Sequence, residues 1–352
     1  MTYQGIIRRY HDYLDLPAGI EPVTLLEGNT PLIPVPAIAE TLGGGFELYV
    51  KYDGMNPTGS FKDRGMTAAI TMAKARGKKT VICASTGNTS ASAAAYAKRA
   101  GLRAIVMIPD GKVAAGKLAG ALAYGAEIIQ IPGSFDDALS FVVEISSKSD
   151  IELVNSLNPY RIEGQKSSAF EICDALGAAP ELLCIPVGNA GNITAYWAGF
   201  RQYNDAKKTG LPEILGVQAE GAAPLVLGHV VDHPETIATA IRIGNPARGE
   251  QALAAAEESG GKIIAVSDDA ILEAQKILAS SGIWVEPASA APLAGLKAQL
   301  KAGSLDVKGK RVVMICTGHG MKDPDIITKN APAPARLSLD FDEIYRFIMK
   351  GC

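Results

Sequence analysis

Apolar residues fall into two kinds of run that alternate along the chain. Short continuous runs bounded by glycine, proline or polar residues predict strands at 47–51, 80–84, 104–108, 127–131, 152–155, 182–187, 214–219, 263–266 and 311–316. Longer stretches with apolar positions three and four apart predict helices at 62–75, 90–100, 115–124, 135–147, 163–176, 192–205, 268–280 and 288–302. Strand and helix in alternation give an α/β fold with parallel sheets and right-handed crossovers. The stretch 220–261, with Pro224, Pro234 and Pro246, is the least periodic. No short repeat or low-complexity linker divides the chain.

The ends of these elements carry the candidate chemistry. Asn56-Pro57-Thr58-Gly59-Ser60-Phe61-Lys62-Asp63-Arg64-Gly65 leads into the 62–75 helix. Asn-Pro-Thr-Gly is a turn signal, so Lys62 falls in a first helical turn beside a phenylalanine, where the helix dipole disfavours its charge. Such a lysine suits the neutral, nucleophilic form that a Schiff base requires, although taken alone it reads more simply as a solvated surface lysine. The 80–84 strand opens into Ser85-Thr86-Gly87-Asn88-Thr89-Ser90, an anion site at a helix start or simply a capped turn. The 182–187 strand opens into Gly188-Asn189-Ala190-Gly191-Asn192. Glycine permits the left-handed backbone that turns successive N–H groups toward one point, and the dipole of the next helix adds attraction for a phosphate. This is neither a Walker loop nor a Gly-x-Gly-x-x-Gly dinucleotide loop. The 311–316 strand ends in Thr317-Gly318-His319-Gly320. These three strand-ending loops are expected at the carboxyl edge of one sheet, where open α/β folds bind ligands. A further turn, Asn155-Ser156-Leu157-Asn158-Pro159-Tyr160-Arg161, offers a guanidinium fork suited to phosphate and two neutral polar side chains. A turn with a solvated arginine is the plainer reading of that segment.

At 352 residues the chain exceeds one ordinary core and is expected to form two domains. With 47% hydrophobic and 20% charged residues it has the mixture of a globular protein, and a net charge of −3 gives no general attraction to nucleic acid or anionic membranes. No apolar stretch is long enough to span a bilayer, and Met1 to Tyr13 lacks the apolar core of a secretory signal, so a cytoplasmic protein is expected. Cys83, Cys173, Cys184, Cys316 and Cys352 form no Cys-x-x-Cys pair, and the first four lie in apolar segments, as buried reduced thiols do. His11, His229, His233 and His319 lack metal-ligand spacing, and no metal site is expected. His319 lies beside the candidate loops, where a structural role is its simpler reading.

Together these residues resemble the pyridoxal-phosphate (PLP) enzymes of the tryptophan-synthase-β type, and within them the bacterial threonine synthases. The resemblance runs from about Leu25 to Asp325 and includes Leu26-Glu27-Gly28-Asn29-Thr30-Pro31-Leu32, Asn56 to Met66, Cys83 to Tyr96, Val154 to Lys166, Pro186 to Trp197 and Glu286-Pro287-Ala288-Ser289. The Ser60 to Gly65 stretch is shared with related dehydratases, but those enzymes carry an all-glycine run where this chain has Gly188 to Asn192. His319-Gly320-Met321 departs from the Asn-Gly-Leu more usual in the family.

The resemblance implies a fold-type II enzyme of two doubly wound α/β domains with mostly parallel sheets. The small domain would be 49–152 and the large PLP-binding domain 153–352, with 1–48 packed on the large one and the cofactor in the cleft between them. It implies that Lys62 holds the aldehyde of pyridoxal 5'-phosphate and moves protons, and that Asn88 hydrogen-bonds the ring hydroxyl. Gly188, Asn189, Ala190, Gly191 and Asn192 would hold the cofactor phosphate, and Thr317 would face the pyridine nitrogen. Asn155, Ser156 and Arg161 would help hold the phosphate of O-phospho-L-homoserine, and Ser85, Thr86, Asn88 and Thr89 its carboxylate. The implied protein is a homodimeric lyase that converts this substrate and water to L-threonine and phosphate. A threonine or serine dehydratase on the same fold is the nearest alternative, needing Lys62 and Asn88 but no second phosphate pocket. A catalytically silent cofactor carrier is the more distant one.

Overall fold

A computed structural model describes residues 2–110, 115–328 and 333–349. In chain order the strands are β1 (Leu32–Pro34), β2 (Glu47–Tyr52), β3 (Thr80–Ala84), β4 (Arg103–Pro109), β5 (Glu127–Ile131), β6 (Glu152–Leu153), β7 (Leu182–Pro186), β8 (Glu213–Ala219), β9 (Lys262–Val266) and β10 (Arg311–Cys316). They form a six-stranded sheet, β1-β2-β10-β7-β8-β9, and a four-stranded sheet, β5-β4-β3-β6. Among the described residues every pairing of these strands is parallel except β1 with β2.

Helices cover both faces of each sheet, which is why the central strands read as unbroken apolar runs. Alternate residues of β10 show the two sides. Val312, Met314 and Cys316 pack with Leu278, Leu293 and Leu296, from the Asp268–Ser280 and Pro287–Lys301 helices. Val313 and Ile315 pack with Phe170, Tyr196 and Phe200, from the Pro159–Leu176 and Gly191–Lys207 helices. In the small sheet, Val81 and Cys83 pack against the Lys62–Ala75 and Asn88–Ala100 helices, and Ile82 and Ala84 against the Phe135–Lys148 helix.

The structure departs from the sequence expectations in several places. The loops after β3, β7 and β10 do not share one sheet edge: β3 belongs to the small sheet and β7 and β10 to the large one, so their carboxyl ends meet across a cleft. Tyr49 to Tyr52, counted above into the small domain, pair with β10 in the large sheet. The N-terminal segment packs on both units rather than on the large one alone. Ile6, Ile7 and Tyr10 pack with Phe170, whereas Val23 packs with Met66 and Ile70 and accepts a hydrogen bond from Thr67 Oγ1 (2.7 Å). The Pro159–Leu176 helix starts earlier than its apolar pattern, because Asn158 caps it by accepting from Tyr160 N–H and Pro159 occupies its first turn. Arg161 is therefore helical, not a turn residue. The Gly249–Glu258 helix lies within the weakly periodic stretch. No helix among the described residues is long and apolar enough to cross a membrane.

Candidate active site

Lys62 opens its helix at the seam between the two units, and the preceding turn is fastened from three sides. Gly59, at φ 85°, closes the turn by donating its N–H to Asn56 O (2.8 Å). Asp63 accepts from Thr58 N–H (2.7 Å), Thr58 Oγ1 (2.6 Å) and Ser92 Oγ (2.6 Å), which ties the turn to the Asn88–Ala100 helix. Phe61 N–H donates to Thr317 O (2.9 Å), at the end of β10. Two residues on, Arg64 is locked by Asp53 and Glu171, and Glu171 also takes Lys51 Nζ at 2.7 Å. This buried ionic group fixes the helix under the lysine.

Lys62 Nζ lies 4.3 Å from the Phe61 ring centroid, and its pKa is pushed down to about 7. The causes are burial first and the Arg161 cation second, with Glu286 acting the other way, rather than the helix dipole suggested by the sequence. A large fraction of such an amine is neutral at pH 7, as nucleophilic attack requires.

Around it the strand-end loops lean on one another. Asn88 donates from Nδ2 to both oxygens of Glu286, at 3.0 and 3.1 Å, across the cleft. Asn189 donates from Nδ2 to Ser156 Oγ (3.0 Å), joining the loop after β7 to the segment after β6. Thr317 Oγ1 is 2.8 Å from Ser289 Oγ, which also accepts Gly318 N–H at 2.8 Å. With Ser289 donating to it, Thr317 keeps its own proton for an acceptor such as an unprotonated ring nitrogen. Ser85 Oγ accepts Gly87 N–H (3.2 Å), and Thr86 and Thr89 are partly exposed in the same loop.

The loop Gly188 to Asn192 suits a phosphate. A Cβ on Gly188 would sit 2.8 Å from Ile241 Cα, so only glycine passes there. Ala190 holds φ 62°, a left-handed conformation ahead of a helix that begins at Gly191, so successive N–H groups point outward together. Asn192 Nδ2 is buried with no hydrogen-bond partner, as is Arg161 Nε. Buried donors are rarely left so; an anionic oxygen would satisfy the Asn192 amide, whereas Arg161 Nε is packed against Gly65. Arg161 is 1% exposed; Nη1 donates to Val154 O (2.9 Å), and burial lowers its pKa to about 10. Asn155 is committed more locally: Oδ1 accepts Ala84 N–H and Nδ2 donates to Ala84 O, leaving one amide proton to offer.

His319 is held by packing. It stacks on Tyr52 at 6.0 Å, meets Trp284 edge-on at 5.6 Å, and accepts Met321 N–H on Nδ1, while burial and Lys322 lower its pKa. Among the described residues no group of three or more His, Cys, Asp and Glu could hold a metal ion. Sequence reasoning assigned no role to Glu286 or Ser289. The only signal was the Glu-Pro-Ala-Ser run at a helix start, where a glutamate reads as an ordinary end residue.

A depressed lysine and a phosphate-type loop are what a PLP enzyme needs, and the model of the pyridoxal-phosphate dependent enzyme family matches residues 23–318. A serine racemase from maize shares the fold, with a TM-score of 0.71 and 21% identity, covering 98% of this chain and 95% of that one. Similarity is much higher to a threonine synthase from Synechocystis sp., 58% identical over 97% of this chain and 89% of that one. The threonine synthase of Halalkalibacterium halodurans is 57% identical over 92% of this chain and 91% of its own. The chain belongs to the PLP-dependent threonine synthase family and is a lyase.

Proposed function

We propose that this enzyme converts O-phospho-L-homoserine and water to L-threonine and phosphate, with the residues of the cleft in the roles expected from the sequence. The observation that carries the substrate is Arg161, a buried cation that depresses the Lys62 pKa and follows Ser156, which Asn189 joins to the loop after β7. When bound, PLP supplies an electron sink for the carbon that carries the substrate amine. Lys62 anchors the cofactor, and its neutral amine is suited to take the Cα proton once the substrate has displaced it. Asn192 and the N–H groups of Gly188 to Gly191 hold the cofactor phosphate, and Thr317 offers the ring nitrogen a neutral partner. Arg161 and Ser156, with the remaining amide proton of Asn155, hold the leaving phosphate. Ser85, Thr86, Asn88 and Thr89 surround the substrate carboxylate. We read the two sheets as two domains that close on the substrate.

Four cysteines, Cys83, Cys173, Cys184 and Cys316, are buried free thiols, which supports a reducing, cytoplasmic setting. The family resemblance supports a homodimer. Purified protein loaded with PLP should release phosphate and threonine in equal amounts from O-phospho-L-homoserine. Formation of 2-oxobutanoate from threonine without that activity would make it a dehydratase. Borohydride should fix PLP to the peptide containing Ser60-Phe61-Lys62, and label on a different lysine would overturn the site.

A further inference from the structure

Glu286 occupies the N-cap position of the Pro287–Lys301 helix, yet its side chain makes no capping bond. The carboxylate crosses the cleft instead, to the amide of Asn88. At one nitrogen, the two oxygens of a carboxylate subtend a much narrower angle than the two amide protons. One N–H of Asn88 is therefore shared between the oxygens and the other is left free. A carboxylate only accepts, so an ionised Glu286 requires Asn88 to present Nδ2 to it and not Oδ1. We propose that Glu286 is a positioning residue that fixes the Asn88 amide across the cleft, so that the second N–H stays available to the ring hydroxyl of the cofactor. This rests on the reading that Asn88 meets that ring.

The fit is close. A Cβ on Gly318 would come within 2.2 Å of Glu286 Oε1, so the carboxylate takes up room that only a glycine leaves. The groups facing it are Asn88 and Lys62 from two helices of the small unit, and Lys322 and Asp323 from the segment after β10. Burial outweighs them and raises the Glu286 pKa to about 7. The group thus changes in the neutral range from one that donates as well as accepts to one that only accepts. Below that range Asn88 is free to turn over, and the donor to the cofactor is lost.

The test is the visible spectrum of the PLP-loaded protein, titrated from about pH 5.5 to 8.5, with PLP dissociation constants for each variant. The variants are Glu286→Gln, Glu286→Ala, Asn88→Ala and the double change Glu286→Gln with Asn88→Ala. The wild-type spectrum should titrate near neutrality, and Glu286→Gln, whose amide donates as well as accepts at every pH, should keep the low-pH spectrum throughout. Glu286→Ala should weaken PLP roughly tenfold. In the Asn88→Ala background, Glu286→Gln should add nothing. A Glu286→Gln protein that titrates like the wild type, or effects that add independently, would overturn the proposal. Glu286→Gln keeps the side-chain volume, so the result stands even where Glu286→Ala does not fold. An Asn88→Ala protein with unchanged spectrum and PLP affinity would remove Asn88 from the cofactor and take this inference with it. Loss of threonine formation with the spectral behaviour intact would instead count against the proposed substrate alone.

Discussion

Arg64 and Arg161 lie on helices packed against each other, and each is 1% exposed. Arg64 donates to Asp53, Glu171, Thr30 and Ser167, and the two carboxylates hold its pKa well above the ordinary arginine value. Arg161 donates from Nη1 to a backbone carbonyl, keeps Nε without a partner, and is pushed down. Equal burial therefore has two meanings in neighbouring places. Where each charge is answered from within the chain, the group sets a helix in position. Where a buried guanidinium has no ion-pair partner among the described residues, its charge is left to an anion, which we propose is the substrate phosphate. Arg64 follows Lys62 in the same first helical turn, so the rigid group pins the side of that turn away from the reactive lysine.

The strongest way to break this contrast is Arg64→Met. It leaves Asp53 and Glu171 buried against Lys51 alone and should cost about 3–5 kcal/mol of stability, read by urea unfolding. A cost below about 1 kcal/mol would show that the group does not hold the helix. Next comes Arg161→Ala, which should weaken O-phospho-L-homoserine by ~1.5–3 kcal/mol, roughly ten- to hundredfold, and PLP far less. Equal losses of cofactor and substrate would move Arg161 out of the substrate site. The smallest effect belongs to Thr317→Val, which removes a neutral hydrogen bond and should cost PLP binding about 0.5–1.5 kcal/mol. Thr317→Asp should go further in character and change both the spectrum and the ratio of threonine to 2-oxobutanoate. If both Thr317 variants match the wild type while folded, the hydroxyl does not touch the ring.

Much of this was legible in the chain. Continuous apolar runs located β2 to β10 to within a few residues, because strands covered on both faces leave little ambiguity. β1 escaped because Leu32–Pro34 is three residues long and ends in proline. The Gly249–Glu258 helix escaped because three prolines in its surroundings obscured a pattern that is regular once it begins. The candidate loops were found by their glycines and hydroxyls, which report backbone conformation and local donors. The partition of those loops between two sheets was not legible, since it depends on strand order. Glu286 was invisible for a related reason: its partner is 198 residues away, and nothing local marks a carboxylate that turns from its own helix toward another. Asn155 shows the converse, an apparently free amide whose oxygen and one amide proton go to Ala84.

Lys62 and Glu286 also shape the chain before any cofactor arrives. Glu286 has a pKa raised from 4.5 to about 7, so between those values the folded chain keeps a proton that the unfolded chain has released. Its contribution to stability falls as pH rises through that window. Lys62 has a pKa lowered from 10.5 to about 7, so the folded chain lacks a proton that the unfolded chain holds, and its contribution falls as pH drops through that window. The two effects meet near neutrality, where the combined contribution of this pair to stability is smallest. PLP bound at this lysine would add stability by mass action. A protein short of PLP should therefore unfold more readily than a loaded one, so that cofactor supply would bear on how much enzyme persists as well as on how much of it is active.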